Sequence, residues 1–241
     1  MCKDTMSGDH EETRSHSNSP LPAPFVRFLH SASVLRNEVV GTITLIAFLV
    51  AIFQAEVLTA TAFEYTSSRA LLSSVPRDAK IIIAATIGPF IHQGPRHLTD
   101  NLGVLLVAGA YLEYQYNRRF LYLFYPLVGY LAAWVPLLMG SVGSVGASGV
   151  TFGLTSWLLV HSISRLLEMG YEGTLDLRIL HLTAVFFGLV KAREAVALLG
   201  MMDGADDVTH FFGAFLGLFL GLRFVLDYYG LSIGDWIQRL E

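Results

Sequence analysis

Cysteine is almost missing from this 241-residue chain: the single one, Cys2, lies in a polar stretch at the amino terminus. One thiol allows no internal disulfide and no cysteine cage for a metal, so redox compartment cannot be read from it. Charge is scarce as well, at 15% Asp, Glu, Lys and Arg, where soluble domains average about a quarter. What charge there is sums to −4, which leaves no basic face for nucleic acid. No HExxH zinc motif, no P-loop and no GxGxxG in a strand-to-helix context occurs, so neither that class of zinc protease nor nucleotide chemistry is indicated. No metal or cofactor is expected. The first 36 residues hold Ser, His, Asp, Glu and Pro without the apolar run of a secretory signal.

Apolar residues are what the chain has in excess, at 53%, with a mean hydropathy of +0.52. A bilayer core about 30 Å thick takes roughly 20 apolar residues as helix. Six stretches approach that length: 39–58, 97–116, 120–139, 148–164, 178–199 and 208–229. The expectation is an all-α membrane protein, a six-transmembrane-helix bundle. Its expected parts are a polar, disordered cytoplasmic tail over 1–36, a membrane domain over 37–230 and a short tail over 231–241. The run "IIIAATIGPFI" is too short to span and ends in Gly-Pro, which predicts an interfacial or re-entrant piece.

Orientation follows from Lys and Arg beside the spans. With the amino terminus inside, Lys3, Arg14, Arg27, Arg36, Arg118, Arg119, Arg165, Arg178, Arg223 and Arg239 face the cytoplasm. Arg69, Arg77, Lys80, Arg96, Lys191 and Arg193 face out, ten against six. The amino terminus is therefore expected to be cytoplasmic. Spans two, four and six then begin at the outer surface. Their first turns carry His97 and Asn101, Ser148, and His210 respectively, so three helices put polar, reactive side chains at one depth.

Such residues inside a span are costly and mark function. A serine hydroxyl needs a base within about 2.6–3.2 Å to become a nucleophile, and histidine is the commonest. Gly213, Gly217 and Gly221 follow His210 on one helix face, and Gly149 with Gly153 form a matching pair on the fourth span. Small residues four apart let helix backbones approach closely in lipid. Ser148 opens its helix, where unpaired amides favour negative charge. His97 and Asn101, four apart, share a face and can aim donors at the same oxyanion.

Three patterns in order, "FIHQGPRHLTDN", "GASG" opening a span and "HFFGAFLGLFLG", resemble the rhomboid family of intramembrane serine proteases. The resemblance runs from about Val39 to Tyr229 and implies a rhomboid-like bundle of six helices. It implies a Ser148–His210 dyad, with His97 and Asn101 supporting the oxyanion beside the Ser148 amide. Gly146 and Gly149 match the glycines flanking the serine, Gly213 and Gly217 the stripe after the histidine, and His92 a further histidine before the second helix. "GAYLE", Gly109 to Glu113, resembles a motif at the inner end of that helix. Phe152 stands where the family often has a tyrosine stacking on the histidine. Residues 59–80 hold no tryptophan, unlike many bacterial members, and Asp206 and Asp207 precede His210 where small residues are commoner.

The implied activity is that of a serine-type endopeptidase, a hydrolase cutting transmembrane protein substrates in the lipid bilayer. It would sit in the plasma membrane, with the site opening outward. The rivals are a non-catalytic rhomboid-fold protein that binds membrane clients and a small transporter. Transporter sites lie at the midplane between repeats, whereas these residues are off-centre and no repeat is seen. Asp207 is read as a solvated acid or helix cap rather than a third catalytic residue. Lys191, Arg193 and Glu194 are read as outer-boundary groups, and His161 and His181 as structural.

Overall fold

The computed structural model describes residues 39–65, 68–140, 145–169, 175–199 and 205–229. The sequence expectations for 1–36 and 231–241 lie outside these residues. Helices α1 (Val40–Ala62), α2 (Ser68–Ser74), α3 (Arg77–Thr86), α4 (Pro95–Val104), α5 (Ala110–Tyr116), α6 (Arg118–Leu138), α7 (Ser148–Met169), α8 (Leu175–Leu199) and α9 (Ala205–Tyr228) follow in order. A 3₁₀ turn (Gly88–Phe90) precedes α4, and a π turn (Leu105–Gly109) joins α4 to α5.

Four of the described helices, α1, α6, α7 and α9, are long and apolar enough to cross a membrane. The other two expected spans differ for visible reasons. The second is the α4–π–α5 rod, whose π turn breaks it into segments of ten, five and seven residues. The fifth, α8, carries Arg178 near one end and Lys191, Arg193 and Glu194 near the other. Helix ends also run past the apolar windows. α7 continues to Met169 rather than 164, through Arg165 and Glu168, because backbone hydrogen bonding does not stop where hydropathy does.

The bundle is built around α7, in which every residue from Ser148 to Leu159 is buried. Leu49, Leu105, Leu112, Leu121, Val128, Val150, Leu154 and Leu158 form the core around it. Large apolar side chains such as Leu123, Leu138 and Phe186 point outward, as expected of a surface facing lipid chains. α9 meets α7 through glycine. A Cβ at Gly213 would strike the Gly149 carbonyl, and one at Gly217 would strike that of Gly153. The backbones are thus in contact with no side chain between them, the geometry that the two small-residue pairs predict. Gly188 seats α8 against α7 in the same way, since a Cβ there would lie 2.8 Å from Leu159 Cβ.

Several polar groups inside the bundle are paired with backbone or with other side chains. Glu113, 1% exposed, accepts from the amides of Gly41 and Thr42 at 2.6 Å each and from Thr42 Oγ1 at 2.8 Å. The "GAYLE" carboxylate therefore caps the start of α1, where orphan amides and the helix dipole favour an anion. Asn117, at φ 83°, ends α5 and accepts from the Arg119 amide at 2.9 Å, starting α6. His161 and His181 are structural in the sense expected: Tyr116 Oη lies 2.5 Å from His161 Nδ1 and Tyr111 Oη 2.8 Å from His181 Nδ1.

The stretch before α4 forms a short helix and a 3₁₀ turn, in keeping with a non-spanning piece. Side chains of α6 hold it. Trp134 Nε1 donates to Ala85 O (3.1 Å), Tyr130 Oη to Thr86 O (2.6 Å) and Tyr125 Oη to Pro89 O (2.8 Å). Residues 59–80 have no tryptophan of their own; the tryptophan that anchors the neighbouring segment comes from α6.

Candidate active site

Ser148 is the first residue of α7 and is 5% exposed. The turn before it is fixed from two sides. Gly146 sits at φ 125°, a backbone conformation glycine adopts without strain, and its amide donates to Gly88 O at 2.7 Å. A Cβ at Gly146 would lie 2.7 Å from His97 Cε1, so the imidazole of α4 packs on the bare glycine. His97 in turn meets His92 edge to face, ring centroids 5.6 Å apart. The His92 amide points at the Glu56 carboxylate, 3.1 Å from each oxygen. α1, the segment before α4, α4 itself and the start of α7 are thereby locked together beside the serine.

On the other side, the glycine contact sets the height of α9 against α7. A Cβ at Gly149 would lie 2.9 Å from Thr209 Cγ2, so the residue after Ser148 abuts the residue before His210. The His210 imidazole stacks on Phe152, one turn into α7, with centroids 4.7 Å apart and planes 21° from parallel. Phenylalanine supplies the stacking surface without a hydroxyl. The Lys191 ammonium lies over the same Phe152 ring, 5.7 Å from its centroid, and pairs with Glu194 at 2.6 Å.

A cavity of about 430 Å³ gathers these groups, lined by His97, Asn101, Ser148, Thr151, Phe152 and His210. Lys191 and Glu194 of α8 and Asp100 of α4 line it too. His97, Asn101, Ser148 and His210, expected at one depth from three spans, are thus brought to one space. His92 and Gly146 lie behind His97, and Gly149, Gly213 and Gly217 lie in the helix contact below. Asp206 and Asp207 fall in the first turn of α9, where the helix dipole favours acids.

Two buried nitrogens on this cavity have no hydrogen-bond partner among the described residues. They are Asn101 Nδ2, on a residue 4% exposed, and His210 Nε2. Buried polar groups are nearly always paired, so orphans call for a reason. The Asn101 side chain lies beside Thr151, whose Oγ1 stands 3.4 Å from Asn101 Oδ1 and donates at 2.8 Å to Ser148 O. The Thr151 proton is committed to the shorter contact with Ser148 O, and the Asn101 NH₂ is without a partner among the described residues. No hydrogen bond joins Ser148 to His210 Nε2.

Sequence reasoning did not single out Thr151 or Glu56. Thr151 looks like any helical threonine. Glu56 did carry a signal, since a lone carboxylate in an otherwise apolar span needs a partner. Asp100, next to Asn101 on α4, also lines the cavity.

A family model described as Rhomboid domain matches residues 79–226. No curated protein and no solved structure matches the chain.

Proposed function

We propose that this chain, which belongs to the rhomboid family, is an intramembrane serine endopeptidase that cuts transmembrane segments of other membrane proteins. One observation carries the reading: Ser148 at a helix start shares a cavity with two buried nitrogens, on Asn101 and His210, that have no hydrogen-bond partner among the described residues. Groups left unpaired in a packed interior are available to atoms that arrive with a substrate.

In this mechanism the Ser148 Oγ forms a bond to the scissile carbonyl carbon as its proton passes to His210 Nε2. The carbonyl oxygen takes the electron pair and is held by Asn101 Nδ2, by the His97 ring and by the first-turn amides of α7. Collapse of this intermediate breaks the C–N bond, and His210 gives its proton to the leaving amine. Water from the cavity then attacks the acyl-serine, again through His210, and restores the hydroxyl. Phe152 holds the imidazole plane throughout. The substrate must present an extended backbone, because a helix keeps its carbonyls hydrogen-bonded. Segments with small or helix-breaking residues near the membrane edge meet that need.

The finer topology belongs to the same proposal. α4–π–α5 and α8 are taken as the second and fifth of six spans, with the amino terminus cytoplasmic and the cavity opening to the outer face of the plasma membrane. α8 tolerates its charges because Lys191 and Glu194 pair with each other.

The decisive experiment compares wild type, Ser148→Ala and His210→Ala on a panel of membrane-spanning reporters, together with fluorophosphonate labelling of Ser148. Cleavage and labelling are expected in the wild type alone. Cleavage that persists in Ser148→Ala overturns the proposal, and folded wild-type protein that captures reporters without cutting them points instead to a non-catalytic client binder.

A further inference from the structure

The cavity has a charged wall that the chemistry above does not use. Asp100 lies one residue before Asn101 on α4, is exposed, and lines the same space as Ser148. No ion pair engages it among the described residues. Facing it from α8 is Lys191, but that ammonium is held by Glu194 at 2.6 Å. From α9, Asp206 acts electrostatically on both His97 and His210, and Asp207 on His210. The neighbouring cations Arg96 and Arg193 are exposed and do not line the cavity. Among the described side chains that line the space, Asp100 and Glu194 stand against Lys191, and the Lys191–Glu194 pair leaves Asp100 as the carboxylate without an ion pair. Asp100 is exposed, so the pairing it offers is that of a surface carboxylate, modest in size and screened by salt. The buried, unpartnered Asn101 Nδ2 on the next residue marks the place where a substrate backbone is held.

We propose that this site selects membrane segments bearing a lysine or arginine within about three residues of the bond to be cut, a span of roughly 10 Å in extended chain, with Asp100 as the group that pairs it. The inference rests on the proteolytic reading for its consequence but not for its test. A substrate acid at the same place meets the Asp100 carboxylate, which no ion pair engages among the described residues, and is disfavoured. Lys191 does not reverse the preference, since freeing it would strand Glu194 without a partner.

The test uses full-length protein in liposomes and one reporter segment in three forms, with Lys, Ala or Asp placed in turn at each of the positions flanking the cleavage point. Specificity is expected to run Lys above Ala above Asp, with about a fivefold step in kcat/KM at the best position, the size of one partly exposed ion pair. Asp100→Asn flattens the order and Asp100→Lys inverts it, each read relative to that variant's own rate on the Ala reporter. The preference shrinks as salt is raised, because the pairing is screened. In parallel, photocrosslinking capture of the same segments is measured on Ser148→Ala protein, which cannot cut them. Equal capture of Lys and Asp segments, or a preference that Asp100→Lys leaves unchanged, overturns this inference even if cleavage is seen. Conversely, if the wild type cuts nothing, the proteolytic reading fails while the capture order still decides the role of Asp100.

Discussion

Gly213 of α9 lies against Gly149 of α7 so closely that a methyl group on the first would overlap the carbonyl of the second. Because Ser148 and His210 sit beside these two glycines, the backbone contact is what brings hydroxyl-bearing and imidazole-bearing helices to one cavity. Everything chemical at the site depends on this absence of side chains.

Adding a methyl there has a definite consequence. Gly213→Ala and Gly217→Ala force α9 away from α7 and are expected to cost about 1–3 kcal/mol of stability, the usual range for overpacking, with loss of cleavage well beyond the loss of fold. Gly103→Ala is the control, since a Cβ there meets nothing within 4 Å. Thermal unfolding in detergent alongside reporter cleavage checks all three. A fully active Gly213→Ala enzyme would show that the helix contact does not position the site.

Asn101→Ala removes the donor whose Nδ2 lacks a protein partner. Loss of one oxyanion donor costs about 2.7–4 kcal/mol in the transition state, so kcat is expected to fall by about 10²–10³ with KM little changed. Steady-state kinetics on a reporter segment separate the two constants. A rise in KM at constant kcat would place Asn101 in ground-state binding instead.

Phe152 supports the His210 ring by stacking at 4.7 Å. Phe152→Leu keeps the volume apolar but loses the flat face, and an aromatic pair contributes about 0.5–1.5 kcal/mol. A two- to tenfold drop in kcat is the corresponding expectation, about what that energy gives. Phe152→Tyr keeps the ring and should retain most activity. Equal rates in the wild type and both variants would remove the stacking contact from the mechanism.

Far from the cavity, Glu113→Ala strips the start of α1 of three hydrogen bonds. Charge-assisted bonds contribute about 1.5–3 kcal/mol each, and the orphaned amides are buried, so a loss of several kcal/mol and a lower midpoint of unfolding are expected. Glu113→Gln keeps the shape and part of the bonding and falls between. Both variants, where folded, should still react with a fluorophosphonate at Ser148, which distinguishes a structural role from a chemical one.

Apolar runs and the spacing of polar residues determined much of this protein. A helical membrane chain, the start of α7 at Ser148, the shared face of His97 and Asn101 and the matching glycine pairs could all be read before any coordinates. These features are local or periodic, set by hydropathy and by about 3.6 residues per turn. The tertiary structure alone decided which groups those residues meet. Glu113 caps a helix some 70 residues earlier in the chain, Trp134 holds the segment before α4, and Lys191 hangs over Phe152. The orphaned state of Asn101 Nδ2 is of the same kind. Such partners are fixed by how helices cross and by which polar group is left over when packing is complete, and no window of sequence contains that information.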